Sequence, residues 1–350
     1  MNGQRFDAIT GKYPQLRIAV VGDICLDRYL EIDPAKSEIS IETGLEVHNV
    51  VNVRSQPGAA GTILNNLVAL GVGEITPVGF CGEDGEGYEL LRALQAQRNV
   101  RLDHFLQTPE RCTFTYCKPL ILRPGQPPRE LNRLDSKNWS VTPERVVATL
   151  RDAVRAVTKK SDAIIFMDQV DVADTGVITS DLREAIRTEA TAHPELLMIA
   201  DSRRSLKNWP PICLKMNQSE LLTLMSEKRK LSLAELKSTA TQLARAHRRA
   251  VFVTLSERGI IGADPSGTAE HVPGFPICGE IDVVGAGDAV TANLAVALAA
   301  GAALREALEL AMAAASVVVH QLGTTGTASV QQIRARLFEH AAVAIGQAHS

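Results

Sequence analysis

The sequence predicts an α/β fold: a doubly wound, mostly parallel sheet flanked by helices, with a small β lid. Three observations carry that expectation. Strand-length apolar runs alternate with helix-length amphipathic stretches along most of the 350 residues. The runs are apolar almost without interruption, as in strands covered on both faces, instead of alternating as half-exposed strands do. Two stretches, 31–56 and 112–135, break this rhythm with β-type and turn residues. They are too long to be structureless in a compact domain.

The elements follow in order. Arg17 to Gly22 (RIAVVG) reads as the first buried strand, and Gly58 to Gly71 as the first helix of the core. Ile75 to Phe80 is a short strand and Gly85 to Arg98 a helix. Three helix-then-strand pairs come next: Val146 to Val157 with Ala163 to Met167, Asp181 to Ala192 with Leu196 to Ala200, and Leu231 to His247 with Ala250 to Leu255. From Ala286 to Gln347 the pattern is nearly all helical. Glu46 to Val53 and Arg111 to Pro119 are the candidate lid strands, so the lid is two excursions from one domain spanning 1–350.

Bulk properties remove several function classes. A net charge of -3 gives no long-range pull toward nucleic acid or an anionic membrane. The basic runs at 228–230 and 245–249 lie in mixed-charge helical contexts and read as solvated faces. Six scattered cysteines lack zinc-site spacing and fall mostly in apolar runs, which suits a reduced, cytoplasmic setting. Met1 to Pro14 has no signal-peptide core. Ala289 to Ala303 is apolar but too short to span a bilayer comfortably. Partners are therefore expected among small molecules, with no nucleic acid and no membrane.

The sharpest chemical feature is Asp282-Val283-Val284-Gly285-Ala286-Gly287-Asp288, directly before a helix. A small-residue turn entering a helix leaves backbone N–H groups unpaired at the positive end of the helix dipole, an arrangement suited to phosphate. An aspartate there can take a proton from an attacking hydroxyl, or it can simply cap the helix. The first strand is followed by Gly22-Asp23-Ile24-Cys25, so the G-x-G-x-x-G dinucleotide fingerprint is absent, as is a G-x-x-x-x-G-K-[ST] P-loop.

This turn resembles the C-terminal signature of the PfkB, or ribokinase-like, carbohydrate kinases. The resemblance runs from about Arg17 to Leu337. Val20 to Tyr29 resembles the family's first strand and following aspartates, and Pro57 to Gly71 its N-terminal signature. Lys215 to Glu220 resembles the N-x-x-E element, and Val253 to Gly259 the strand and turn beside the nucleotide. Within the family, Leu26 to Leu30, Ser37 to Ser40, Arg133 to Asp135 and Val317 to Thr324 are similar to the D-glycero-β-D-manno-heptose 7-phosphate kinases, the kinase half of ADP-heptose synthase. No H-x-G-H nucleotidyltransferase segment appears, so only the kinase step is expected.

The resemblance implies an ATP-dependent sugar or sugar-phosphate kinase. Asp288 would be the general base, with the backbone of Gly285, Ala286 and Gly287 as the anion hole. Asp23, Asp27, Gly58, Ala59, Thr62 and Asp168 would contact the sugar. Asn217, Glu220, Thr254, Gly259, Met312 and Ser316 would serve ATP. Asn217 and Glu220 would also order Mg²⁺ through water. Asp282 and the carbonyl of Val284 resemble a potassium loop, so activity lost on replacing potassium with choline is expected. A homodimer paired through the lid is implied as well, to be read by light scattering. This chain departs from the signatures at Ala59 (a second glycine), Thr62 (an asparagine) and Met312 (an asparagine). Those departures motivate a rival reading, a weakly active relative that binds sugar or nucleotide as a regulator.

Overall fold

A computed structural model describes residues 1–347. Nine strands form the main sheet in the spatial order Ala269–Val272, Ile260–Ala263, Val251–Thr254, Cys213–Asn217, Leu197–Ser202, Ala163–Asp168, Arg17–Gly22, Glu74–Gly82, Phe105–Thr108. All neighbours are parallel except the two pairs at the first-named edge, where Ile260–Ala263 runs antiparallel to both flanking strands. The apolar runs are continuous because both faces are covered. Within Arg17–Gly22, Ile18 and Val20 enter one core while Ala19 and Val21 enter the other. Helices Ala60–Ala69, Ala286–Ala299 and Leu304–Val318 pack into the first core, and Glu144–Thr158, Ser180–Ala192 and Leu233–His247 into the second. The expected α/β fold is the one observed, and among the described residues no helix is long and apolar enough to cross a membrane.

The lid departs from its expected bounds. It begins at Ile24, not near residue 31, and its central strand is Ile24–Ile32, pairing antiparallel to Val50–Ala59 and parallel to Thr115–Ile121. Leu134–Ser136 and Arg129–Glu130 complete this sheet on Thr115–Ile121. The expected single strand 46–53 is divided: Glu46–Val47 pairs with Glu38–Ile39, and the next strand starts at Val50. The misreading has a physical cause. ICLDRYLEI directly follows an apolar core strand, and the switch between sheets is made at Gly22. A side chain there would lie 2.2 Å from the Met167 carbonyl oxygen, so only glycine lets the chain cross its neighbour. The outer part of the lid leaves Ile39, Ile41 and Leu45 exposed.

Val50–Ala59 runs straight into helix Ala60–Ala69 through a bend at Ala59, whose φ of 54° and ψ of -119° suit glycine and strain a residue with a Cβ. Ala59→Gly should therefore stabilise the fold by about 1 kcal/mol. The check is the urea midpoint at constant slope, and an unchanged or lower midpoint would show that the bend carries no strain.

Candidate active site

The candidate site residues gather where the parallel strands end at their carboxyl termini, the usual ligand crevice of an open α/β sheet. Asp168, Asp201, Asn217 and Thr254 each lie at or next to such a strand end. Over them sits the turn before helix Ala286–Ala299. Gly285 takes a left-handed φ of 83°, which aims the following backbone into the crevice. Asp282 Oδ1 accepts the Val284 N–H at 3.0 Å, fixing the turn from within. The Ala286 N–H donates back to the Val283 carbonyl at 3.3 Å. That takes Ala286 out of the expected anion hole. Gly287 and Asp288, in the first turn of the helix, have no such partner among the described residues.

Asp288 keeps part of its surface open to the cleft. Burial pushes its carboxyl up to about 7, helped by the charges of Asp201 and Asp27 and opposed by Lys215. It thus stands near neutrality, where a general base is most effective. Beneath it, Lys215 Nζ pairs with Asp201 Oδ2 at 2.7 Å, and Thr291 Oγ1 donates to the same oxygen at 3.1 Å. A Cβ on Gly287 would sit 3.0 Å from the Lys215 ammonium, so this buried cation lies directly under the turn. Burial works to lower the Lys215 ammonium, yet Asp201 outweighs it and holds the group above its ordinary value.

On the lid side, Asp27 lies over Gly58, where a Cβ would come within 2.7 Å of the carboxylate. Gln56, Asp27, Tyr116 and Asp135 form one cross-strand row and so share a face. Arg54, Tyr29 and Lys118 form another row on that face. Lys118 Nζ stands 3.5 Å from Asp27 Oδ2 and 4.9 Å from the Tyr29 ring centroid. Burial works against its charge, but Asp27 and Tyr29 hold its ammonium above the ordinary value.

Thr62 is buried on helix Ala60–Ala69, with its methyl turned toward Gly285. Asp23 does not behave as a sugar ligand. Its Oδ1 accepts the Val177 N–H at 2.7 Å and its Oδ2 the Gln169 N–H at 2.9 Å, so both oxygens staple the loop after Ala163–Asp168. Burial, with the charge of Asp168, pushes its carboxyl up to about 7. Asp168 is likewise committed through Oδ2 to Ser202 and Arg204, each at 2.9 Å. Its Oδ1 is buried without a partner among the described residues.

Four of the residues expected to serve ATP, Thr254, Gly259, Met312 and Ser316, line a cleft of about 300 Å³ that reaches Ala286 and Gly287. Phe275, Ile277 and Ile281 form its outer wall. That wall is pinned by Arg336, whose Nη2 donates to the Pro276 carbonyl at 2.8 Å, and by His320. His320 Nδ1 lies 2.6 Å from the Ser316 carbonyl, to which it can only donate, so its Nε2 accepts the Cys278 N–H at 3.3 Å. Asn217 and Glu220 do not line this cleft. They cap helix Gln218–Leu224 reciprocally, with the Glu220 N–H on Asn217 Oδ1 and the Asn217 N–H on Glu220 Oε2. Burial raises the Glu220 carboxyl, and the nearby charge of Asp201 adds to this.

Lys118, Lys215 and Thr325 were missed by the sequence reading. For both lysines a signal existed: each is a lone cation inside an otherwise apolar strand, a pattern that marks a buried, paired charge.

Comparison with known proteins agrees with this geometry. The family model described as "pfkB family carbohydrate kinase" matches residues 15–331. Among curated relatives, "Bifunctional protein HldE" of Gluconacetobacter diazotrophicus is 29% identical over 336 residues, covering 95% of this chain and 66% of the relative. The protein of that name from Pectobacterium atrosepticum is 31% identical over 323 residues, covering 91% and 63%. The chain thus spans slightly less than two thirds of the length of these relatives. In three dimensions it is similar to phosphofructokinase-2 from Escherichia coli, with a TM-score of 0.71 and 17% identity, covering 93% of this chain and 99% of that one. It is also similar to ribokinase from Arabidopsis thaliana, solved with ribose and ATP, with a TM-score of 0.64 and 19% identity, covering 92% and 99%. A family match over nine tenths of the sequence, on an α/β fold shared with sugar kinases of known structure, leads to one conclusion: the chain belongs to the pfkB family of carbohydrate kinases.

Proposed function

We propose that this kinase transfers the terminal phosphoryl group of ATP to a hydroxyl of a sugar phosphate, with a heptose 7-phosphate as the leading candidate. The observation that carries the reading is the placement of Asp288. Its carboxyl, poised near neutrality, stands at the start of helix Ala286–Ala299 and within the field of Asp27. One end of this arrangement suits a phosphoryl group, and the other suits a polyol. The heptose assignment rests on the resemblances at 26–30, 37–40, 133–135 and 317–324 and on relatives named HldE.

In this mechanism Asp27 accepts a hydrogen bond from a sugar hydroxyl and fixes the acceptor. Asp288 takes the proton of the attacking hydroxyl. The N–H groups of Gly287 and Asp288 face the charge that builds on the transferring group, where each donor is worth about 3–4 kcal/mol in comparable sites. The apolar cleft from Thr254 to Ser316 receives the base of ATP. Among the described residues no three His, Cys, Asp or Glu side chains converge on a metal position. A magnesium ion would instead keep water and phosphate ligands, with Glu220 and Asn217 ordering that water, and would neutralise phosphate charge.

The test is ADP release from ATP–Mg²⁺ over a panel of free sugars and sugar phosphates, D-glycero-β-D-manno-heptose 7-phosphate among them. Turnover confined to one sugar phosphate supports the assignment. Turnover of free sugars alone would overturn the phosphate preference. Nucleotide binding by calorimetry without turnover of any acceptor would favour the regulatory reading.

A further inference from the structure

The loop between helices Leu304–Val318 and Val330–Gln347 sends one buried side chain, Thr325, into the space between the lid and the catalytic turn. Its Oγ1 donates to Asp27 Oδ2 at 3.2 Å and stands 3.3 Å from the Tyr29 hydroxyl. Its carbonyl accepts from Gln56 Nε2 at 3.5 Å. Three residues on the cleft face of the lid therefore meet this one threonine. Its methyl points the other way. A Cβ built on Gly285 would stand 2.7 Å from Thr325 Cγ2, so the methyl rests against the left-handed glycine that opens the phosphate turn.

We infer that Thr325 is a positioning residue that couples the acceptor site to the phosphate turn. The coupling has two separable halves. A carboxylate has rotational freedom that its ligand must otherwise remove, and a hydrogen bond from a fixed hydroxyl removes it beforehand. Lys118 supplies charge to Asp27 from one side but at 3.5 Å gives little directional hold, so the Thr325 hydroxyl sets the angle. The turn at Gly285 has no side chain of its own to pack, and the Thr325 methyl fills the space beside its Cα. Lid and turn are thus held in one arrangement by two faces of a single side chain.

For catalysis the inference rests on the kinase reading, but the coupling itself can be read without an acceptor. Two variants separate the halves: Thr325→Val keeps the methyl and loses the hydroxyl, and Thr325→Ser does the reverse. Hydrogen exchange on the ligand-free protein should show Thr325→Val speeding exchange in Ile24–Ile32 on the order of tenfold, the scale of a lost hydrogen bond to a charged group. Thr325→Ser should instead speed exchange at Ala286 and Ala289, whose N–H groups bond the Val283 and Gly285 carbonyls on either side of the turn. With an acceptor that turns over, Thr325→Val should raise the acceptor KM and leave the ATP KM unchanged. Thr325→Ser should lower kcat while keeping the acceptor KM. Wild-type exchange in both segments of both variants would overturn the inference. So would two variants that change the same parameters together in step with a lower Tm, the mark of a merely structural role. If the wild-type protein turns over no acceptor, the kinase reading fails, and the exchange result still decides the coupling.

Discussion

Replacing Asp288 with asparagine is expected to lower kcat by roughly 10²–10⁴-fold, the usual worth of a positioned general base, while making the protein more stable. The two effects share one cause. Burial and the neighbouring charges of Asp201 and Asp27 lift this carboxyl from its ordinary 3.8 to about 7, so the fold disfavours its ionised form. For a carboxylate with a raised value, the folded state holds its proton longer than the unfolded chain does. Stability is then highest below the ordinary value, falls as pH rises from about 4 toward 7, and is level above that. Asparagine, which mimics the protonated acid, carries no such penalty. Activity runs the opposite way, since the base must be ionised to accept a proton, so the wild-type rate should climb through pH 7. Thermal melts at pH 5 and pH 8 check the first half, and a kcat profile checks the second. If the asparagine variant is less stable than wild type at pH 8, the carboxylate is held favourably and this account of its burial is wrong.

Removing the cation beneath the turn should have the largest effect on stability. Lys215 and Asp201 are both buried, and breaking such a pair from one side costs about 3–5 kcal/mol because a charge is left without compensation. Lys215→Met should therefore lower Tm sharply. It should also shift the pH–rate profile, because Lys215 opposes the rise of the Asp288 carboxyl and Asp201 promotes it. With the cation gone, Asp288 ionises at higher pH, and the acid limb of the profile moves toward alkaline values. Adding Asp201→Asn should recover part of the stability and return the limb, the coupling expected of neighbours that share charge. A Tm loss with an unmoved acid limb would mean that Lys215 supports the fold without tuning the base.

How much was legible in the sequence depended on whether the signal was local. Apolar continuity revealed the parallel strands because each run carries its own evidence of burial on two sides. The turn 282–288 was legible because its glycines, its aspartate and the following helix are adjacent in the chain. The switch of sheets at Gly22 was not, since nothing within ICLDRYLEI distinguishes a core strand from a lid strand. The collision that demands glycine involves Met167, far along the chain. Asp23 was misassigned for a similar reason: its partners, the N–H groups of Gln169 and Val177, belong to a loop whose position depends on the parallel pairing of Arg17–Gly22 with Ala163–Asp168. Thr325 offered no signal, because a threonine in a Gly-Thr-rich loop looks like any turn residue until tertiary structure brings it to Asp27.

The wall of the cleft lined by Thr254, Gly259 and Met312 has a practical consequence. Among the described residues only one of the six cysteines, Cys278, is exposed, and it lies on the segment held by His320 and Arg336. Cys25, Cys81, Cys117 and Cys213 are buried, and Cys112 is half-shielded with its Sγ on Asn138. A maleimide fluorophore would therefore attach mainly at one place, on the segment that walls this cleft. The native chain carries its own optical reporter position, so ligand entry into the cleft can be followed in real time without engineering a thiol.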